Sequence, residues 1–212
     1  MEQKELPKEL VDLIIHFRLE KLAIDPYIFA IEEDSKFSVM WLVNKYIPSK
    51  YAIKQIAKKG NLELIIIMIR LYAENKVHYT QKFVKLFNLM VPILAKYGHL
   101  EIIKWWLENK ERDIDFKSVC YNAALGGNIE VLSWFLDHRH NIDSKAYYGA
   151  IEKNNTHVYK WLRRNKIPLD LKTSFIKAIE SENLYFMEKL WAYASTLKSC
   201  INLIIYCIII VS

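Results

Sequence analysis

The residues of this chain best placed to do chemistry are lysines and tyrosines at recurring positions. Lys117, Lys145 and Lys172 each stand two residues after an aspartate (Asp115, Asp143 and Asp170), and Lys50 directly follows Ser49, which holds the equivalent place. Tyr121 and Tyr148 share one position about a turn further on. Stacked in register, these side chains would line the rim of a helical surface as a basic row with phenol groups beside it. Ammonium and hydroxyl groups so arranged suit an acidic peptide, and less readily a phosphate backbone. The plainer alternative is that each lysine is solvated or pairs locally with its own capping aspartate, which is worth little.

Other candidate chemistry is sparse. His138 and His140 form an H-x-H near Asp137 and Asp143, but no second ligand pair stands at metal spacing, so a solvated loop and no metal are expected. The chain contains no GxxxxGK[ST], HExxH, GxSxG or GxGxxG. An enzyme, a cofactor and a small-molecule substrate are therefore not expected. Cys120, Cys200 and Cys207 form no CxxC pair and no disulfide framework, which fits a reducing compartment. Cys200 and Cys207 would share a helix face as small buried hydrophobes.

The elements that must position the basic row are clearest in residues 115–143, DFKSVCYNAALGGNIEVLSWFLDHRHNID. Asp115 is placed to cap a helix, since its carboxylate can accept from first-turn N–H groups. Ala123 and Ala124 suit a tightly packed inner helix, and Gly126 and Gly127 end it, because a left-handed residue costs glycine nothing. Ile129, Val131, Leu132, Phe135 and Leu136 then form an apolar stripe at helical spacing. Neither helix can bury its stripe without a neighbour.

The same pattern returns along the chain. Turn positions fall at Asp34, Gly60, Gly98, Gly127, Asn154 and Glu182, the last four at intervals of 29, 27 and 28 residues. Glycine gives way to Asn and Glu toward the C-terminal end, so those turns are expected to be less left-handed. The helix from Leu62 to Tyr72 is apolar on most of its circumference and should be deeply buried. Between Gly60 and Gly98 a surplus at about 76–92 predicts a longer first helix, kinked or restarted at Pro92. Such an insertion projects from one face, often a binding face, or is a harmless elongation. Trp41, Trp105, Trp134 and Trp161 share one repeat position, read as inter-repeat packing rather than a ligand cage. If Trp134 is core, its replacement by alanine should cost about 3–5 kcal/mol.

Composition agrees with a helical array. The chain is 52% hydrophobic, with only 5 Gly and 5 Pro, which argues against a turn-rich β protein. Its formal charge of +6 is spread along the sequence. The start, MEQKELPKEL, has no apolar segment of a secretory signal. Residues 1–23 read as an N-terminal capping helix. The end, residues 195–212, reads as an apolar C-terminal cap. Its run from Ile201 to Val211 is short of the about 20 residues a bilayer span needs. A tail anchor or an aggregation-prone end is the alternative.

The pattern AAxxGxxEVxxxL, carried by Ala123-Ala124-Leu125-Gly126-Gly127-Asn128-Ile129-Glu130-Val131-Leu132 and less fully by Ala95 to Trp105, resembles ankyrin repeats over about residues 24–194. The Lys160-Trp161-Leu162 ending, with the Ile-, Lys- and Asn-rich composition, is similar to variant repeats abundant in giant DNA viruses such as mimivirus. Ser118-Val119-Cys120-Tyr121 replaces the family's Thr-Pro-Leu-His box, and the repeats are shorter in the loop before Asp143 or Asp170. The resemblance implies an all-α, ankyrin-like α-solenoid of about six helix-turn-helix repeats with short or absent β-hairpin fingers. It also implies a scaffold that binds another protein, acidic by the lysine row, through a concave inner-helix face in the cytoplasm of a host cell. LPKELVDLII resembles the start of an F-box, which would instead make the protein a substrate adaptor for a ubiquitin ligase. Nucleic acid is the lesser partner, and a membrane is not expected.

Overall fold

The computed structural model describes residues 48–74, 80–109 and 114–196, together with Tyr27, Ile28, Ala30, Ser38 and Leu42; side chains at 69–74, 80–87, 109 and 196 fall outside that description. The F-box-like start, the turn at Asp34, Trp41, Cys200, Cys207 and the apolar end after Thr196 lie outside the described residues. Among those described, every regular element is a helix: α1 (Lys50–Lys59), α2 (Leu62–Glu74), α3 (Thr80–Tyr97), α4 (Leu100–Asn109), α5 (Phe116–Gly126), α6 (Ile129–Asp137), α7 (Lys145–Glu152), α8 (Thr156–Arg164), α9 (Leu171–Glu180) and α10 (Leu184–Thr196). The fold class is all-α, as expected. No helix among these residues is long and apolar enough to cross a membrane.

The chain divides into two compact units, Met1–Phe87 and Asn88–Ser212. In the first, Ser49 caps α1 by accepting from the Ala52 N–H at 3.0 Å, and Gly60 ends it in the left-handed region at φ 66°. Ala52, Ile53, Ile56 and Ala57 of α1 and Leu64, Ile65 and Met68 of α2 are buried, as are Tyr27, Ala30 and Leu42. The apolar α2 therefore supplies core as expected, over the part whose side chains are described.

The long first helix expected after Gly60 is present. α3 runs 18 residues with Pro92 inside it, so the helix is not restarted at the proline. In the second unit the first helices of successive pairs pack on one another, α5 on α7 and α7 on α9. These are the inner helices; α6, α8 and α10 are their outer partners. The loops that join one pair to the next, 138–144 and 165–170, carry no strand.

In the second unit the turn between the two helices of each pair has one geometry. Gly98, Gly127, Asn154 and Glu182 all have positive φ, at 79°, 84°, 54° and 52°. At each, two backbone N–H groups bond back to the inner helix, for example Gly127 to the Ala124 carbonyl (3.2 Å) and Asn128 to the Ala123 carbonyl (2.9 Å). These are orphan carbonyls that the helix cannot satisfy itself. The expectation that the turns at Asn154 and Glu182 are less left-handed is thus corrected, since both lie in the left-handed region. The paired hydrogen bonds and the packing of both helices hold the backbone there whatever the side chain.

That geometry has a cost at Glu182. A left-handed residue with a Cβ is strained by about 1–2 kcal/mol, partly offset because glycine loses more freedom on folding. Glu182→Gly is expected to stabilise the protein by about 1 kcal/mol, read as a higher urea midpoint at unchanged slope.

Candidate protein-interaction surface

The inner helices bring the predicted residues to their starts because a cap fixes each start. Asp115 accepts from the Ser118 N–H at 3.2 Å, and Asp170 from the Thr173 N–H at 3.1 Å and the Thr173 hydroxyl at 2.6 Å. Asp143 differs: its Oδ1 accepts from the Lys145 N–H at 3.0 Å, and Ser144 takes the cap position of α7. Lys117, Lys145 and Lys172 sit in the first turns of α5, α7 and α9, one per repeat, and all three are exposed. Lys50 opens α1 in the first unit, also exposed.

Lys117 does not pair with its own capping residue. Its Nζ lies 3.8 Å from Oδ2 of Asp143, the aspartate that opens the following repeat. The local pairing weighed for this lysine is therefore replaced by a link between repeats, long and solvated enough to be worth little. The tyrosines make comparable links. Tyr121 donates to Glu152 Oε2 at 2.5 Å, and Tyr148 donates to Asp170 Oδ2 at 3.0 Å. Burial and the Glu152 carboxylate push the Tyr121 phenol up to about 12, so it stays a donor at neutral pH. Both hydroxyls are committed to the next repeat, and what they leave at the surface is ring.

A feature that the sequence reading did not single out runs along the opposite end of the inner helices. Asn128 donates to the Ala95 and Lys96 carbonyls at 2.8 and 2.7 Å, and Asn155 to the Ala124 and Leu125 carbonyls at 2.9 and 3.0 Å. Asn183 donates to the Ile151 carbonyl at 3.2 Å. Each asparagine thus closes the C-terminal end of the preceding repeat's inner helix. Its signal was present: an asparagine follows the turn residue at Gly60, Gly127, Asn154 and Glu182. Asn155→Ala is expected to cost about 2 kcal/mol, since two carbonyls lose a donor. Asn155→Asp should cost more, because a carboxylate faces those oxygens, and denaturant titration of both variants decides the order.

The histidine loop is built for packing. His138 stacks on Trp134 with centroids 4.0 Å apart, and its Nδ1 lies 2.8 Å from the Trp134 carbonyl. His140 stacks on Phe116 at 4.3 Å and meets Phe135 edge-on at 5.5 Å. No group of three or more metal-ligating side chains occurs among the described residues. Burial, and secondarily the charge of His138, lower the His140 pKa from its ordinary 6.5. The folded state therefore favours neutral imidazole, and the unfolded chain binds the extra proton. His140 contributes fully above pH 6.5, and that contribution is lost as pH falls through its depressed folded value. Urea midpoints at about pH 7.5 and 5 should differ less for His140→Phe than for the wild type.

The shared tryptophan position also resolves. The fully buried residue is the next one along: Leu42, Trp106, Phe135 and Leu162, while Trp105, Trp134 and Trp161 are half-buried. Cys120, a free and buried thiol, is pushed up to about 12 chiefly by burial, with Asp143 and Asp115 adding to it. It is not poised as a nucleophile.

A family model described as ankyrin repeats (many copies) matches residues 91–136. That segment is similar to ankyrin repeats. It covers the end of α3 and helices α4 to α6, and the pairs α7–α8 and α9–α10 continue its left-handed turn and bridging asparagine. The described repeats are all-α and ankyrin-like, with the finger loops short. A search of curated proteins finds no match to the chain.

Proposed function

We propose that this protein binds another protein through the surface formed by its inner helices, and that its task is binding rather than catalysis. The observation that carries the reading is the exposed lysine at the start of three successive inner helices, Lys117 on α5, Lys145 on α7 and Lys172 on α9, at equivalent positions of an ankyrin-like array. Ankyrin repeats are protein-interaction modules, and a row of ammonium groups selects an acidic partner by charge complementarity. Lys50 holds the equivalent place at the start of α1 in the first unit. The free thiol of Cys120 is in keeping with a reducing cytoplasm. A viral origin, acting on host or viral proteins, rests on the Lys-Trp-Leu ending and the Ile-, Lys- and Asn-rich composition.

The test is affinity capture in parallel with a variant carrying Lys50, Lys117, Lys145 and Lys172 all changed to Glu. A partner identified with the wild type, confirmed with purified components and lost from the variant, supports the inner-helix surface. Equal binding by both proteins sinks it.

A further inference from the structure

A second charged surface lies on the other layer of the repeats, and nothing in the inner-helix reading uses it. Helix α8, THVYKWLRR, contains no acidic residue. Val158 and Leu162 are its buried side. Lys160 with Arg163 and Arg164, at helical spacings of three and four, form the opposite, exposed side, and Lys166 follows in the loop. Arg163 is held from the side, its guanidinium 4.2 Å from the centre of the Tyr193 ring. Lys160, Arg164 and Lys166 make no ion pair among the described residues.

Neither neighbouring outer helix carries a cation at the positions matching Lys160 and Arg164. Counted from the left-handed turns, Lys160 corresponds to Ser133 on α6 and Glu188 on α10, and Arg164 corresponds to Asp137 and Ala192. Glu130, Asp137 and Glu188 are all exposed. The cationic strip along α8 is thus about one helix wide, on the order of 10 Å, with the carboxylates of Asp137 and Glu188 on its flanks and the exposed cations Arg139 and Lys189 next to them. A nucleic-acid backbone running across the outer helices would meet those carboxylates. A single acidic polypeptide segment laid along α8 would not.

We propose that the outward side of α8, through Lys160, Arg164 and Lys166, docks a short acidic segment of a partner protein, separately from the inner-helix surface. Cations near the C-terminal end of α8 also favour the helix dipole, so the test uses neutral replacements and reads binding rather than stability.

The probe is a fluorescein-labelled octaglutamate peptide, with an oligothymidine of matching charge beside it, at low salt and with the full chain. The Lys160→Gln/Arg164→Gln variant should weaken peptide binding by about tenfold, the loss of one or two charge-assisted bonds. The Lys153→Gln variant, at an exposed lysine of the α7–α8 turn that neither surface uses, should bind as wild type does. A zero-length carbodiimide crosslink should join the peptide to Lys160 or Lys166 in the mass spectrum. Crosslinks confined to Lys117, Lys145 or Lys172, an affinity untouched by the α8 variant, tighter binding of the oligothymidine, or no peptide binding would each overturn the proposal. Crosslinks confined to Lys117, Lys145 or Lys172 would assign the peptide to the inner-helix row instead, so the crosslink position separates failure of this proposal from failure of the inner-helix reading.

Discussion

Gly126→Ala is expected to destabilise the second unit by about 3 kcal/mol, the high end for forcing one extra carbon into packed structure. Helix propensity alone predicts the opposite sign, since alanine in place of an exposed helical glycine gains about 1 kcal/mol. The difference is made by the preceding repeat. A Cβ at Gly126 would lie 1.8 Å from the Lys96 carbonyl oxygen and 2.7 Å from Asn128 Nδ2. The first is backbone at the end of α3, and the second is the amide that bonds to it. Neither can move without breaking the bridge between repeats. Gly149 is a second instance, its Cβ position being 2.2 Å from the Tyr121 carbonyl oxygen of the adjacent inner helix. Chemical denaturation of Gly126→Ala decides the matter by sign: a higher midpoint than wild type would mean the repeats are not packed this closely.

Phe135→Ala is expected to cost about 3–5 kcal/mol, the range for emptying a fully buried aromatic position. The same change at Trp134 should cost only about 1–2 kcal/mol, the worth of an aromatic contact with partial burial. This reverses the ranking that the recurring tryptophans suggest. Phe135 is wholly buried and takes Phe116, Trp134 and His140 edge-on. Trp134 is half-buried and spends its ring on the His138 stack at the end of its own helix. Urea titrations of the two variants side by side test the order, and equal losses would return Trp134 to the core.

The bridging asparagines explain why the repeats stay in register although Ser118-Val119-Cys120-Tyr121 stands where ankyrin repeats carry a Thr-Pro-Leu-His box. Each joins the turn of one repeat to the C-terminal carbonyls of the inner helix before it, so a part-buried polar end is satisfied across the boundary rather than within a helix. Stability in such an array comes largely from neighbour contacts. Substitutions at the asparagines or at Gly126 and Gly149 are therefore tests of coupling between repeats, whereas Glu182→Gly tests a single turn.

By itself the sequence determined the features that depend on a few consecutive residues. Helix pairs followed from apolar spacing. Caps followed from Ser49, Asp115 and Asp170, and the turn positions from Gly60, Gly98 and Gly127 with their periodic successors. Backbone dihedrals and local hydrogen bonds act over three or four residues, and that range is visible in a string. Tertiary structure decided what depends on residues about one repeat away. Burial of Phe135 rather than Trp134 is such a case, since neighbours on a helix differ by a fraction of a turn and only the packed surface says which points inward. Lys117 reaching the next repeat's Asp143 is another, as is Gly126 serving close approach while Gly127 alone makes the turn. The left-handed Glu182 belongs with them, because two helices packed on either side hold a dihedral that its own side chain disfavours.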